Sequence, residues 1–195
     1  FFALFGLAPG YAAHMSNVLL VGFSKDSLQT GAEGFGLLDM SYGLGAMVCG
    51  LGLPIFLQRF GTRPALPTIA LLLVAVNCIL VSFSQSLAFA MCCFAGFALF
   101  GQLVGILAST TLQRQCKEEV VGRLVSLVNV VQYLLAPILV WGLGIYAELP
   151  RGRLLHEDAL RDGFVAVALF FLLLAVASLF GAYPFLKNQK EEATD

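Results

Sequence analysis

A stretch of about fifty residues between Arg63 and Arg114 contains no charged side chain, which is enough chain for two helical crossings of a bilayer joined by a tight turn. A soluble domain cannot bury such a stretch, because its helices need one solvated face. Elsewhere the charges fall in short clusters separated by apolar runs of about twenty-four residues. The sequence therefore predicts a multi-pass membrane protein.

Composition and charge narrow the class of protein further. Hydrophobic residues make up 59% of the chain and charged residues 12%, whereas charged residues average about 25% in soluble domains. The net charge of -1 gives no basis for nucleic-acid binding. The apolar runs lack the alternation of barrel strands, so the expected fold class is an all-α membrane protein. The chain opens on Phe1 without an initiator Met or a basic flank, and we therefore expect a piece of a longer protein.

Six apolar runs predict six transmembrane helices, each long enough to cross about 30 Å of hydrocarbon. They form one bundle over residues 1–186, followed by a short cytoplasmic tail over residues 187–195. The connections alternate between two sides, one with seven Lys and Arg and the other with four. The richer side is expected to be cytoplasmic, together with both ends of the segment. The expected spans are about 1–23, 35–57, 65–83, 87–112, 124–146 and 164–186.

Polar residues inside the spans follow a repeating pattern. The first, second, fourth and fifth spans each carry several, whereas the third and sixth carry little beyond Asn77 and Ser178. Helices that face lipid are apolar all round, while helices around a wet cavity need a polar stripe. Spans one, two, four and five are therefore expected to line a cavity, with spans three and six supporting them from the lipid side. Two such triplets in succession fit the 3+3 inverted repeat found in the halves of many secondary transporters.

Four polar residues of the fifth span, Ser126, Asn129, Gln132 and Tyr133, recur at steps of three and four. This spacing places them on one helix face, where amides and hydroxyls could bind a polar or amphiphilic solute. Hydrogen bonding between helices is the alternative. Matching polar faces on the other spans favour the cavity. The residues expected to bind substrate are His14, Asn17, Gln102, Asn129, Gln132 and Tyr133.

Two ionisable residues inside the spans are candidates for proton coupling. His14 lies near the middle of the first span, where a histidine could relay a proton or, as a neutral ring, bond a neighbouring helix. Asp39 is the only acid inside an apolar run and lies roughly 6 Å from the expected end of its helix. It could bind a proton or a cationic substrate, or be an interfacial residue favoured by a helix N-terminus.

Glycine is frequent in the second span, where Gly45 and the residue four positions on, Cys49, form a small-xxx-small pair. Such pairs let two helix backbones approach closely. Close contact is expected both in a static bundle and in one whose helices slide. The pattern therefore predicts packing and does not by itself predict motion.

Motifs for metal, cofactor or enzyme chemistry are not found. The five cysteines lack the spacing of a zinc or redox site, and His14 and His156 are too few for a haem-bearing bundle. An intramembrane serine protease would need an exposed nucleophile, such as that of G-x-S-x-G, with a paired histidine. No enzyme activity, metal or cofactor is therefore expected.

The short basic connection between the second and third spans resembles a degenerate form of the loop motif of the major facilitator superfamily, G-x-x-x-D-R-x-G-R-R. Arg59, Gly61 and Arg63 match that motif. Pro54 stands in place of its first glycine and Gln58 in place of its aspartate. The loss of the aspartate removes part of the charge relay that the motif implies.

Two further segments resemble the same superfamily. Residues 34–46 resemble the start of its eighth helix, and residues 112–124 resemble the QR-x-x-p-x-x-l-r-GRv loop before its eleventh helix. That loop, which includes Gly122 and Arg123, is typical of the branch that holds macrolide-efflux proteins and the enterobactin exporter. The resemblance covers nearly the whole chain.

The resemblance implies the C-terminal six-helix half of a twelve-helix major facilitator transporter in a bacterial inner membrane. It implies a proton-coupled exporter of a small amphiphilic drug or siderophore that works by alternating access, with the N-terminal six-helix half of the same transporter as partner. The alternative is a six-helix membrane scaffold or pseudo-transporter without turnover. The residues implied in cytoplasmic gating loops are Arg59, Gly61, Arg63, Gly122 and Arg123.

Overall fold

A computed structural model describes Asn17 and residues 19–60, 66–115, 118–148 and 159–192. All regular structure in these ranges is helical, which confirms the all-α part of the predicted fold class. Helix α1 covers residues 19–27 and ends in a π-helical turn, Phe23–Ser27. The helices that follow are α2 (Gly31–Phe60), α3 (Leu66–Phe83), α4 (Leu87–Gln115), α5 (Glu118–Glu148) and α6 (Ala159–Glu192).

Four of these helices are long and apolar enough to cross a membrane. They coincide with the second, third, fourth and sixth expected spans, and this confirms their membrane-spanning character by length and composition. Helix α5 runs unbroken through the fifth expected span, and most of the first lies outside the described residues. The apolar windows are Gly31–Ile55, Leu66–Phe83, Leu87–Thr110 and Leu160–Ser178.

The tight turn predicted within the uncharged stretch is the connection from Ser84 to Ser86, between α3 and α4. The Ser84 hydroxyl donates to the Val81 carbonyl at 2.8 Å and closes the end of α3. At the start of α4, the Ser86 carbonyl accepts the Ala90 N–H at 3.0 Å and its hydroxyl accepts the Phe89 N–H at 3.4 Å. The two serines thus satisfy backbone groups that helix ends leave unpaired.

The connection from α1 to α2 reverses the chain through the π-turn and two left-handed residues. The Leu28 N–H donates to the Phe23 carbonyl at 2.9 Å and closes the π-turn. Gln29 and Gly31 then take φ values of 55° and 62°, a region that glycine enters far more easily than other residues. The Ser24 hydroxyl donates to the Gly31 carbonyl, which fixes the start of α2.

Helix α4 is central to the packing of the described helices. It contacts α2 on one side and α3 on another, and α3 also packs along α6. The end of α1 lies on α2 and α6. Helix α5 meets α4 and α6 at only a few residues, so it is the helix least tied to the rest.

Phenylalanine rings fill the centre of the packed helices. Phe164 of α6 meets Phe23 of α1 edge-on at 5.1 Å and Phe94 of α4 at 6.2 Å, measured between ring centroids. One turn along α4, Phe97 lies 6.3 Å from Phe171 of α6. All five rings are at most 2% exposed. Since lipid is as apolar as these rings, their fitted contacts and not the hydrophobic effect hold the helices together.

Helices α2 and α4 touch backbone to backbone at Gly45. A Cβ atom placed on Gly45 would overlap the Ala95 carbonyl oxygen and stand 2.8 Å from the carbonyl carbon. Gly45 and Cys49 both lie on the buried side of α2. The close contact predicted from this small-xxx-small pair is confirmed, because no residue with a Cβ fits at Gly45 without the helices moving apart.

Candidate functional site

Tyr42 connects two of the helices that were expected to line a cavity. It lies on α2, and its ring rests against Phe94 and Phe97 of α4 with centroid separations of 6.2 Å in each case. Its hydroxyl is within hydrogen-bonding reach of the Gln102 side chain, also on α4. The two phenylalanines hold the ring, and this places the hydroxyl beside the Gln102 amide at the contact between α2 and α4.

Asp39 lies one turn before Tyr42 on α2 and is exposed. Its carboxylate is close enough to the Tyr42 hydroxyl to interact with it electrostatically. An acid, a hydroxyl and the amide of Gln102 therefore share one neighbourhood. Such groups can hold a proton or hydrogen-bond a polar solute, and a carboxylate at membrane depth needs water or a polar partner beside it.

The polar face predicted on α5 is exposed in the structure. Ser126 and Asn129 are exposed, and Tyr133 is 68% exposed. Trp141, the single tryptophan of the chain, follows two turns later and is 71% exposed. The side chain of Gln132 falls outside the described part of the chain. Ser126 and Asn129 are thus presented outwards and are not packed between described helices.

The exposed faces of α3 and α6 differ, since every exposed residue of α3, and of α6 from Leu160 to Ser178, is apolar. Their few polar residues turn inwards. Asn77 donates through Nδ2 to the Leu73 carbonyl at 2.8 Å, and Ser178 is 2% exposed. Both helices therefore present the surface expected against lipid. The exposed residues are Ile69, Leu72, Val76, Leu80 and Phe83 on α3, and Leu169, Leu173, Val176 and Ala177 on α6.

Exposed polar side chains thus lie on α2, α4 and α5 and around α1, while the described outer faces of α3 and α6 have none. No family model matches the chain, and neither curated proteins nor solved structures give a significant match. The function of this surface has to follow from its own residues.

The remaining residues predicted to bind substrate or protons are described unevenly. Asn17 is exposed just before α1, and Gln102 is half-buried at the contact with α2. His14 lies outside the described residues. The structure brings Gln102 and Asp39 into one neighbourhood through Tyr42, and it places Asn129 and Tyr133 on the separate helix α5.

The residues predicted in gating loops lie at helix ends or beyond them. Arg59 falls in the last turn of α2, with its side chain outside the described part of the chain. Gly61 and Arg63 are also outside the described residues. Gly122 and Arg123 are exposed near the start of α5, so they belong to a helix and not to a loop. The expected loop before this span is shorter than predicted, because α5 already begins at Glu118.

Two residues outside the predicted site make polar contacts between helices, namely Tyr42 and Arg161. The spacing of Tyr42, three residues after Asp39 and three before Gly45, would have placed all three close together on α2. Arg161 was counted only as a loop charge. Its partners, the carbonyls of Ser82 and Ser84, are far away in sequence, so no local pattern could reveal them.

The chemistry available at this surface is hydrogen bonding and charge. Within the described ranges, no three His, Cys, Asp or Glu side chains come together as metal ligands. The exposed or half-buried polar groups include amides, hydroxyls, the carboxylates of Glu33 and Asp39, and the Arg123 guanidinium. They suit reversible binding of a solute that has both polar and apolar parts.

The Tyr42→Phe variant is expected to lower the free energy of unfolding by about 0.5–1 kcal/mol, the usual range for one hydrogen bond between membrane helices. The ring contacts with α4 remain, and only the partner of Gln102 is lost. The matched control is Ser41→Ala, because the Ser41 hydroxyl donates to Leu38 of its own helix at 2.6 Å and should be dispensable. Unfolding in mixed micelles measures both, and equal losses would contradict a link through Tyr42.

Proposed function

We propose that the chain is one six-helix half of an alternating-access secondary transporter that exports a small amphiphilic solute. The observation that carries this proposal is the division of the exposed surface: it is wholly apolar on the described faces of α3 and α6, whereas α2 and α5 expose polar side chains among apolar ones. In a bundle surrounded by lipid on all sides, outward-facing amides and acids would lack hydrogen-bond partners and destabilise the protein. A bundle that shares a wet cavity with a second half needs them on one side only.

The free-energy cost of placing the Asp39 carboxylate in a membrane also favours a wet cavity. A carboxylate at the bilayer centre costs about 2.5–3.5 kcal/mol on insertion scales, and the cost falls towards the end of a span, where Asp39 lies. Asp39 is exposed on α2, so the side of α2 that carries it is stable only against water or a polar partner. A cavity bounded by this surface supplies the water, and Asp39 with His14 then supplies protonatable groups for coupling to a proton gradient.

Some of the contacts between helices fit a 3+3 inverted repeat. Such a repeat exchanges α1 with α4, α2 with α5 and α3 with α6. Under this exchange the contact of α3 with α4 becomes that of α6 with α1, and the structure contains both. The contact of α3 with α6 maps onto itself and is also present. The counterparts of the α2–α4 and α5–α6 contacts would join α5 to α1 and α2 to α3, and neither occurs among the described residues.

The residues that match loop motifs of the major facilitator superfamily favour this superfamily among secondary transporters. Arg59, Gly61 and Arg63 keep part of its loop motif, and Gly122 with Arg123 keeps part of the later loop typical of its macrolide and enterobactin exporters. In this arrangement these residues gate the cytoplasmic side, and both ends of the segment lie in the cytoplasm of a bacterial inner membrane. The partner is an N-terminal six-helix half of the same transporter.

The Asn129→Leu variant of the intact transporter is expected to lower efflux about tenfold, since a lost hydrogen bond to a bound solute is worth about 1–1.5 kcal/mol. Membrane insertion should not change, because Asn129 is exposed and leucine suits a membrane helix. Leu127→Ala serves as the control, since Leu127 is also exposed on α5 but lies off the polar stripe. Efflux from cells expressing equal amounts of each variant is the measurement.

The assay should screen macrolides and siderophores, each with and without a proton uncoupler. Loss of wild-type efflux on adding the uncoupler would support proton coupling. Wild-type efflux in both Asn129→Leu and the companion variant Gln132→Leu would contradict the proposal that this face of α5 binds the solute. Absence of transport for every solute tested would instead favour a six-helix scaffold without turnover.

A further inference from the structure

A hydrogen bond joins the start of α3 to the end of the apolar window of α6. The hydroxyl oxygens of Thr68 and Ser178 lie 2.6 Å apart, and both residues are buried. The Ser178 hydroxyl also donates to the Ala175 carbonyl at 2.6 Å. Since a hydroxyl has one proton, Thr68 is the donor in the contact with Ser178. This pair connects the first turn of α3 to the last described apolar stretch of α6.

A second polar contact joins the same two helices at their other end. The Arg161 guanidinium, in the first turn of α6, donates through one nitrogen to the carbonyls of Ser82 and Ser84, at 2.9 and 2.6 Å. These carbonyls lie where α3 ends, and the last carbonyls of a helix have no partner within it. A positive charge there also offsets the negative end of the α3 dipole. Arg161 therefore caps α3 from a neighbouring helix.

Helix α1 strengthens the second contact. The Arg161 guanidinium carbon lies 5.6 Å from the centroid of the Phe23 ring, a distance that suits a cation–π contact. Leucines also pack against glycines across this contact. Leu160 of α6 packs against Gly22 of α1, and Leu19 of α1 packs against Gly163 of α6. The end of α1 is thus fitted against the start of α6, with Arg161 between α1 and α3.

We propose that these two contacts pin α3 and α6 into a rigid strut that keeps one geometry while the other helices move. The pins are fourteen residues apart on α3, or about 21 Å along the helix axis, which is most of the hydrocarbon thickness. Two pins at this separation prevent both sliding and rotation of one helix on the other. The α2–α4 contact is different, since its links, Gly45 against Ala95 and Tyr42 against Gln102, lie within one turn of α2. They fix the register at one level, about which α2 can still pivot.

The proposal is tested by distances between spin labels in the full-length protein, reconstituted in lipid nanodiscs with its native cysteines replaced by alanine. Exposed positions Phe83 and Leu169 report how the Arg161 end of α3 lies against the middle of the strut segment of α6, and Ile69 and Val176 report the end near Thr68. Both pairs are expected to give one narrow distance. A label at Val48 of α2, paired with Leu169, is the comparison and should give a distribution about twofold broader, as expected of helices that move.

Variants at each pin show whether the pins cause the rigidity. Arg161→Ala is expected to broaden the Phe83–Leu169 distance about twofold and to leave the Ile69–Val176 distance unchanged. Thr68→Val should broaden the Ile69–Val176 distance and leave the Phe83–Leu169 distance unchanged. Because valine has nearly the shape of threonine, this variant still tests the proposal if Arg161→Ala fails to fold. Arg161→Lys, which keeps the charge without the planar fork, should fall between wild type and Arg161→Ala.

Two results would overturn the proposal. One is a wild-type Phe83–Leu169 or Ile69–Val176 distribution as broad as that of Val48–Leu169. The other is wild-type width in both Arg161→Ala and Thr68→Val, which would show that the pins do not set the geometry. Because the readout is a distance within the bundle, it decides the proposal even if no solute is transported.

Discussion

Replacement of Gly45 by alanine is expected to cost about 3 kcal/mol or more of unfolding free energy, at the upper end of the range for overpacked sites. The added methyl group would overlap the Ala95 carbonyl oxygen and stand 2.8 and 2.9 Å from two further backbone atoms. A side chain could rotate away from such a clash, but a helix backbone cannot. Helices α2 and α4 must therefore separate, and the contacts of Tyr42 with Phe94 and Phe97 weaken with them.

The matched control is Gly43→Ala, two residues earlier on the same helix. A Cβ at Gly43 meets nothing within 4 Å, so this variant should lose no stability and could gain up to about 1 kcal/mol from helix propensity. Unfolding in mixed micelles, together with the fraction of monodisperse protein after detergent extraction, measures both variants. Equal stability of the two would mean that α2 and α4 do not meet at Gly45 in the membrane.

The helices themselves could be predicted from the sequence because their signal is local. Apolar runs of the right length predicted the positions of α2, α3, α4 and α6, and the uncharged stretch predicted the tight turn at Ser84 to Ser86. The ends were less accurate: α6 begins at Ala159, five residues before the expected span, and α5 begins at Glu118. Helices continue past the hydrocarbon wherever capping and neighbours allow, and hydropathy does not report this.

The candidate site was only partly predictable, for a related reason. The stripe containing Asn129 and Tyr133 follows from helical spacing within one span, and the structure exposes it. The neighbourhood of Asp39 and Gln102 depends on the register between α2 and α4, which the Gly45 contact sets. The contacts of Arg161 were even less predictable, because its partners are backbone carbonyls, which every residue has and no side-chain pattern marks. Pairing across helices is a property of the packed structure and has no one-dimensional pattern.

The interior of the bundle relies on shape, because lipid removes most of the hydrophobic driving force. A buried ring gains little by leaving hydrocarbon for a protein core, but it gains contacts that disordered lipid tails make less well. This predicts a sharp difference between large apolar residues of one helix that face inwards and those that face outwards. The difference should be larger than their nearly equal hydrophobicity suggests.

Phe164→Ala is the test of this difference, with an expected loss of about 2–3 kcal/mol of unfolding free energy, somewhat below the 3–5 kcal/mol usual in water-soluble cores. Phe164 is 2% exposed and contacts the rings of Phe23 and Phe94. Five residues along α6, Leu169 is 49% exposed, and Leu169→Ala should change stability by less than about 0.5 kcal/mol because lipid refills the space. Comparable losses in the two variants, measured by unfolding in bicelles, would mean that the rings at the centre of the bundle do not hold α1, α4 and α6 together.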